Sequence, residues 1–292
     1  MNERPSGVFV STAWLQSVLD DPTVRVIDAS VKMVAEPPHR VHSHDEYCQG
    51  HIPGAVYADI PGALSDPDGP FPVTRPSAEQ AASVFGSLGI SADTLVVAYD
   101  REIGQYASRL WWLLQAAGHE AVVVLDGGLQ KRVRENRPVE TGEITPVPAE
   151  ITAVPRDGMW ADKQDIMDML GETDRATLIA AAPYLPEDIS EIPAGAVRVM
   201  SRVIPGSVSV PYPAMAQPGS TALQPTEQRE HLLAAVPKGA PAIVYCASGL
   251  SAPLIGLSLV SAGHKEVKIY DGSLDEWLSD ARNPTESRVR PS

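Results

Sequence analysis

The sequence predicts an α/β protein of two tandem domains, each a mostly parallel sheet flanked by helices. Short apolar runs of strand length alternate with longer segments of helical period, and continuously apolar strands mark sheets covered on both faces. The same series of motifs also occurs twice. Arg25-Val26-Ile27-Asp28-Ala29-Ser30 is matched by the run 176–182, and His51-Ile52-Pro53-Gly54-Ala55-Val56 by Val203-Ile204-Pro205-Gly206-Ser207-Val208, both displaced by 152 positions (27 to 179, 51 to 203). Ala117-Gly118-His119 returns as Ala262-Gly263-His264, and Asp126-Gly127-Gly128-Leu129 as Asp271-Gly272-Ser273-Leu274, displaced by 145 (117 to 262, 126 to 271). A repeat this long is a duplicated domain rather than a solenoid unit. A chain of 292 residues accommodates two such domains comfortably.

Taken in order, 14–19 reads as a helix, 24–29 as a buried strand and 55–58 as a short strand after the Ile-Pro-Gly turn. An amphipathic helix over 78–88, a strand at 95–99, a helix at 107–117 and a strand at 121–125 complete the first copy. Their counterparts are 163–170, 177–181, 208–210, 226–235, 242–245, 253–261 and 267–270. The proline-rich stretch 138–155 breaks the pattern, so the domains are placed at 1–140 and 158–292 with a linker over 141–157. Residues 65–76 and 218–225 read as loops, and the polar tail beyond Trp277 is expected to fray or to wrap.

Composition removes several classes of function. A formal net charge of −14 argues against a nucleic-acid or anionic-membrane binder, whose surfaces need basic stripes. The first ten residues hold no apolar core of signal-peptide length and no later run approaches a membrane span, so a cytoplasmic protein is expected. With only Cys48 and Cys246, neither a disulfide framework nor a cysteine-based zinc site can be built. No cofactor is expected.

The stretch from Ala242 to Ala252 carries the chemistry. An apolar strand ends at Tyr245, Cys246 follows, and a loop of small residues leads into a second apolar run of helical length. A thiol there sits at the carboxyl end of a buried strand, where open α/β sheets hold their ligands. Several backbone N–H groups and a helix dipole can point at its sulfur, surroundings that favour anions. The alternative is a cysteine that serves as a small buried hydrophobe.

These residues resemble the tandem rhodanese family, which includes thiosulfate and 3-mercaptopyruvate sulfurtransferases, over nearly the whole chain. In the first half the resemblance lies in Gly50-His51-Ile52-Pro53-Gly54-Ala55-Val56 with Asp59, in Ala107-Ser108-Arg109-Leu110-Trp111-Trp112, and in the turns Gly118-His119 and Gly127-Gly128. In the second half it lies in Tyr270-Asp271-Gly272-Ser273 with Glu276-Trp277, and above all in Cys246 to Ala252, which is similar to the family's C-x-x-G-[VL]-[ST]-A active-site loop. The resemblance implies two rhodanese-like domains, with only the second catalytic. The internal repeat points the same way: Tyr99-Asp100 stands where the second copy has Tyr245-Cys246, and an aspartate cannot carry a persulfide. Cys48 is read as structural.

The resemblance implies a sulfurtransferase that moves sulfane sulfur from a small anionic donor through a Cys246 persulfide to a thiol or cyanide-like acceptor. A small thiol or a thioredoxin-like protein would serve as the thiol acceptor. Cys246 and Ser248 are the catalytic candidates. Ala247, Gly249, Leu250 and Ser251 of the loop are candidates for binding substrate, Gly249 because it takes backbone angles that a side chain resists. The serines can equally cap the loop. Tyr106 and Arg109 match positions near the family's cleft, although Arg109 can equally anchor its own domain, and Asp59 is a further binding candidate. Cysteine phosphatases use a similar loop but need an arginine at its end, where this chain has Ala252.

Ala247 and Ser248 stand where thiosulfate enzymes place basic residues, so the loop is closer to the mercaptopyruvate type. Yet Ile179-Ala180-Ala181-Ala182-Pro183-Tyr184-Leu185-Pro186 supplies no arginine where relatives carry Asp-Ala-Arg and a further arginine for the substrate carboxylate. The family's proposed relay joins an aspartate, a histidine and the loop serine. Asp59 and Ser248 match it, while its histidine falls near Val73. Arg198 and Arg202 are the nearby basic candidates, each against the reading of a solvated surface arginine. These departures predict a donor other than 3-mercaptopyruvate, or one handled less well, and leave a non-catalytic rhodanese-like scaffold as the alternative. His39, His42 and His44 are read as part of a solvated loop, with no metal site.

Overall fold

The computed structural model describes residues 5, 7–34, 40–171, 176–186, 188, 190, 192 and 194–288. The chain divides into two compact units, Met1–Asp157 with Ala216–Leu223, and Gly158–Met215 with Gln224–Ser292. The first contains β1 (Phe9–Val10), α1 (Thr12–Val18), β2 (Val24–Asp28), β3 (Val31–Met33), β4 (Arg40–His42), α2 (His44–Gln49), β5 (Val56–Tyr57), α3 (Ala78–Ser87), β6 (Leu95–Tyr99), α4 (Gln105–Ala116), β7 (Val122–Leu125) and α5 (Gly128–Arg134). Its parallel sheet has the order β1-β7-β6-β2-β5, and β3 and β4 form a separate antiparallel pair.

The second unit contains β8 (Trp160–Ala161), α6 (Lys163–Gly171), β9 (Thr177–Ala180), α7 (Ala194–Met200), β10 (Arg202–Val203), β11 (Val208–Ser209), a 3-10 turn (Tyr212–Met215), α8 (Thr226–Leu232), β12 (Ala242–Tyr245), α9 (Ala252–Ser261), β13 (Val267–Tyr270), α10 (Ser273–Trp277) and β14 (Glu286–Ser287). Its parallel sheet runs β11-β9-β12-β13-β8, the order of the first unit read from the other edge. The repeated motifs therefore occupy repeated places: β2 and β9 correspond, as do β6 and β12.

The apolar runs become central strands because both faces are covered. Val96 to Tyr99 and Ala242 to Tyr245 are buried throughout, the pattern of parallel strands between helices. Val26, Val97, Tyr99 and Leu125 share one core, and Leu178, Ile243, Tyr245 and Trp277 share its counterpart. Ser11 and Ser77 cap α1 and α3 by accepting the N–H groups of Trp14 and Gln80, each at 3.1 Å.

Three segments depart from the sequence expectations. Residues 44–49 form a helix where a polar loop was expected, because Asp45 and Glu46 lie in its first turn and Tyr47 is fully buried, its hydroxyl donating to Ala55 O at 2.8 Å. His42 ends β4 and His44 opens α2, while His39 lies outside the described residues. The helix α7 was not anticipated. The proline-rich run after Pro138 lies along the first unit, where Ala149, Val154 and Arg156 donate backbone bonds to Gly86, Ala117 and Ala116 at 2.9 Å each. The tail wraps: β14 pairs antiparallel with β10. No helix among the described residues is long and apolar enough to cross a membrane.

Candidate active site

Cys246 lies immediately beyond β12, and its side chain is 1% exposed. The loop that follows turns back beneath the sulfur, so that Gly249 donates its N–H to Cys246 Sγ at 3.1 Å. Gly249 makes this turn at φ +79°, and a Cβ there would meet Asp271 O at 2.4 Å. Only glycine satisfies both conditions. The loop delivers the chain into α9, whose N-cap residue Ser251 makes no side-chain cap hydrogen bond and whose first turn contains Pro253. The N-cap side chain thus leaves the amino end of α9 uncapped, and that end directly follows the loop of the thiol. Ser248 is buried, Ser251 half-buried, and no residue from Cys246 to Ala252 is charged.

The floor of the loop comes from the turn after β13. Ser273 sits at φ +48°, a conformation that costs a non-glycine residue about 1 kcal/mol or more. Its hydroxyl accepts the N–H of Cys246 at 3.1 Å, donates to Tyr270 O at 2.8 Å and lies 4.0 Å from Sγ. Leu274 and Asp275 donate their N–H groups to the carbonyls of Cys246 and Ala247 at 3.2 and 2.8 Å. In the sequence Ser273 stands out only as the end of Tyr270-Asp271-Gly272-Ser273. Its signal was the repeat, which sets this serine opposite Gly128, another residue at positive φ.

The equivalent place in the first unit holds Asp100, fully buried beyond β6. Its Oδ1 accepts the N–H groups of Glu102 and Gly104 at 2.9 and 3.0 Å, and its Oδ2 those of Tyr106 and Ala107 at 2.9 and 3.0 Å. Burial pushes the Asp100 carboxyl up to about 6 against the pull of these four donors. The loop is therefore an anion-holding ring of N–H groups at a helix start, already filled by its own side chain.

The remaining candidates lie on other elements. Tyr106 is buried at the start of α4, and Asp59 is half-buried, accepting the N–H of Gly62 at 3.2 Å. Arg109 is 1% exposed and donates to Val73 O at 2.9 Å within its own unit. Arg198 is exposed on α7 and donates to Leu278 O at 3.0 Å. Arg202 is exposed on β10 and reaches Thr285 Oγ1 at 3.4 Å. Cys48 lies on α2, half-buried, 3.8 Å from His44 Nδ1. Among the described residues, no cluster of three or more His, Cys, Asp or Glu side chains is placed to hold a metal ion.

Two α/β units with one cysteine-bearing loop define a class, and comparison with known proteins gives it its name. The model of the rhodanese-like domain matches residues 11–135 and 195–280. The 3-mercaptopyruvate sulfurtransferase of Escherichia coli K12 is 31% identical over 280 residues, covering 95% of this chain and 97% of the relative. The thiosulfate sulfurtransferase of Rattus norvegicus is 33% identical over 294 residues, covering 96% and 94%. The crystal structure of SseA from Escherichia coli, described as a 3-mercaptopyruvate sulfotransferase of the rhodanese fold, superposes with a TM-score of 0.78 at 30% identity, covering 92% of this chain and 99% of that one. The chain belongs to the rhodanese family and is a sulfurtransferase of its tandem-domain type.

Proposed function

We propose that Cys246 carries sulfur as a persulfide, loaded from a small anionic donor of the 3-mercaptopyruvate or thiosulfate kind and emptied by a thiol or cyanide-like acceptor. The observation that carries this reading is the pair of loops. One holds a carboxylate on four N–H groups, and its counterpart replaces that carboxylate with a thiol.

The thiolate of Cys246 attacks the outer sulfur of the donor. With 3-mercaptopyruvate, an S–S bond forms and the C–S bond breaks. Its electron pair leaves on the methylene carbon as the pyruvate enolate, which takes the thiol proton and departs as pyruvate. With thiosulfate the S–S bond of the donor breaks and sulfite leaves. In either case the anionic outer sulfur stays on Cys246, and a second thiolate removes it in a ping-pong cycle. The N–H of Gly249, the hydroxyl of Ser248 and the uncapped start of α9 are the groups we assign to that charge. Ala247, Leu250 and Ser251 shape the same loop. In this reading the domain over 158–292 is catalytic and that over 1–140 is not, since Asp100 fills its loop permanently. The neutral loop favours a carboxylate donor over thiosulfate, whereas the missing arginines at 179–186 weaken the case for 3-mercaptopyruvate itself. Small thiols or a thioredoxin-like protein are the acceptors we expect, in the cytoplasm.

Intact mass after incubation with each donor tests the reading. The expected result is a gain of one sulfur that is absent from Cys246→Ser. Absence of any persulfide with every donor, in a chain whose thiol still reacts with an alkylating agent, would favour the scaffold alternative. Release of phosphate from an aryl phosphate through Cys246 would favour a phosphatase.

A further inference from the structure

We propose that Arg288, brought in from the carboxyl-terminal tail, binds the negative charge of the sulfur donor beside Cys246. The inference rests on the persulfide reading and names a residue for it that local sequence does not show. An anionic donor approaching a chain of net charge −14 needs a local cation, and the loop from Cys246 to Ala252 supplies none. Nor does the adjacent strand end, 177–186, contain a basic residue. The tail does. The β10–β14 pairing sets Ser287 opposite Arg202, and Arg288 N–H then donates to Ser201 O at 2.9 Å. From there the guanidinium reaches the carboxyl end of β9. It donates to Pro183 O at 3.2 Å and Ala180 O at 3.4 Å, with its carbon 4.6 Å from the centre of the Tyr184 ring.

This position is at the strand end next to the one that carries the thiol. Ala180 pairs in register with Tyr245, the residue immediately before Cys246, and Ala181 N–H donates to Tyr245 O at 2.8 Å. Neighbouring strand ends lie about 5 Å apart. Arg288 is half-buried, and burial draws its pKa down, yet none of the described carboxylates lies within ion-pair distance of it. Its Nε is buried with no hydrogen-bond partner. A guanidinium taken partly out of water and held only by neutral oxygens and a ring retains most of its capacity for an anion.

The first unit shows what would have neutralised it. Asp28 occupies the place of Ala180, 152 positions earlier (28 to 180), opposite Tyr99 in register, with its Oδ1 accepting the N–H of Ser30 at 2.9 Å. A carboxylate at 180 would pair with Arg288. Ala180 leaves the charge for a ligand. Arg198 and Arg202, nearer in sequence, are exposed and turned to Leu278 and Thr285.

The test compares charged and neutral reagents on wild type, Arg288→Ala and Arg288→Lys. The donors are 3-mercaptopyruvate, thiosulfate and mercaptoacetone, which keeps the thiol and ketone but has a methyl group for the carboxylate. Alkylation of the Cys246 peptide by iodoacetate against iodoacetamide reads the same charge preference without turnover. In Arg288→Ala, kcat/KM for the anionic donors is expected to fall about 10- to 100-fold, mostly through KM. Mercaptoacetone is expected to change less than about threefold, the iodoacetate preference to drop in parallel, and Arg288→Lys to recover part of both. Equal losses on charged and neutral reagents would mark a structural residue and overturn the inference, as would no loss on either. A wild type that alkylates with an Arg288-dependent preference but never forms a persulfide would instead remove the parent reading.

Discussion

The loop after β6 and the loop after β12 share one backbone design and differ in what fills it. Both follow a buried strand ending in tyrosine, both lead into a buried helix, and both rest on a turn whose leucine donates to the first loop residue, Leu129 to Asp100 O at 3.1 Å and Leu274 to Cys246 O at 3.2 Å. In the first, the donors of the loop and of the α4 start converge on Asp100. In the second, the N-cap Ser251 side chain makes no cap bond to α9 and a thiol takes the carboxylate's place. The strand beside each loop repeats the contrast, with Asp28 in one unit and Ala180 under the Arg288 guanidinium in the other. One unit fills its loop with the Asp100 carboxylate and carries Asp28 on the strand beside it, and the other has Cys246 and Ala180 at these places. Duplication supplied the scaffold, and a few substitutions decided which copy stays open.

The sharpest way to break the comparison is to make the second loop into the first. Cys246→Asp is expected to abolish sulfur transfer entirely while keeping the fold, with a melting temperature that falls, relative to Cys246→Ser, as pH rises through the range in which the buried Asp100 titrates. A melting temperature that shows no such dependence on pH would mean that the second loop does not bury an acid as the first does. A smaller effect is expected for Gly249→Ala. The added Cβ meets Asp271 O and the positive φ is strained, so a loss of about 1–3 kcal/mol and at least a tenfold loss in kcat/KM should appear together. Retained activity at reduced stability would separate the Gly249 N–H from the chemistry.

The smallest effect concerns Asp100. Burial raises its carboxyl from 3.8 to about 6, so the native chain binds a proton that the unfolded chain releases between these values. Its contribution to stability is therefore full below about pH 4 and is lost as pH rises through about 6. Asp100→Asn is expected to remove that part of the slope of melting temperature against pH. A change of the opposite sign on Asp100→Asn in this window would mean that the four N–H donors outweigh burial.

Much of the fold was legible because its signals are local. The strands 95–99, 242–245 and 267–270 agree with β6, β12 and β13 residue for residue, since an apolar run between turn residues has few alternatives in a duplicated α/β chain. The Cys246 loop was legible for the same reason, its small residues lying consecutively. The start of α4 was placed two residues late, because Gly104 at φ +95° and the Asp100 carboxylate organise that end from outside the helical pattern. Ser273 and Arg288 were not legible. Ser273 acts through a strained φ that no propensity encodes, and Arg288 reaches its place through a two-residue pairing across some eighty positions of chain (202 to 287). The same distance hid the 216–223 segment, whose Thr221 and Leu223 bond to Gly127 and Asp126.

The Asp100 side chain has the reach of a cysteine persulfide. From Cα through Cβ and Cγ to Oδ is three bonds, and from Cα through Cβ and Sγ to the outer sulfur of a cysteine persulfide is also three. Both ends carry negative charge. In the reading proposed above, the Asp100 loop is a standing replica of a loaded Cys246 loop, and its four N–H groups mark where the transferable sulfur is expected to rest.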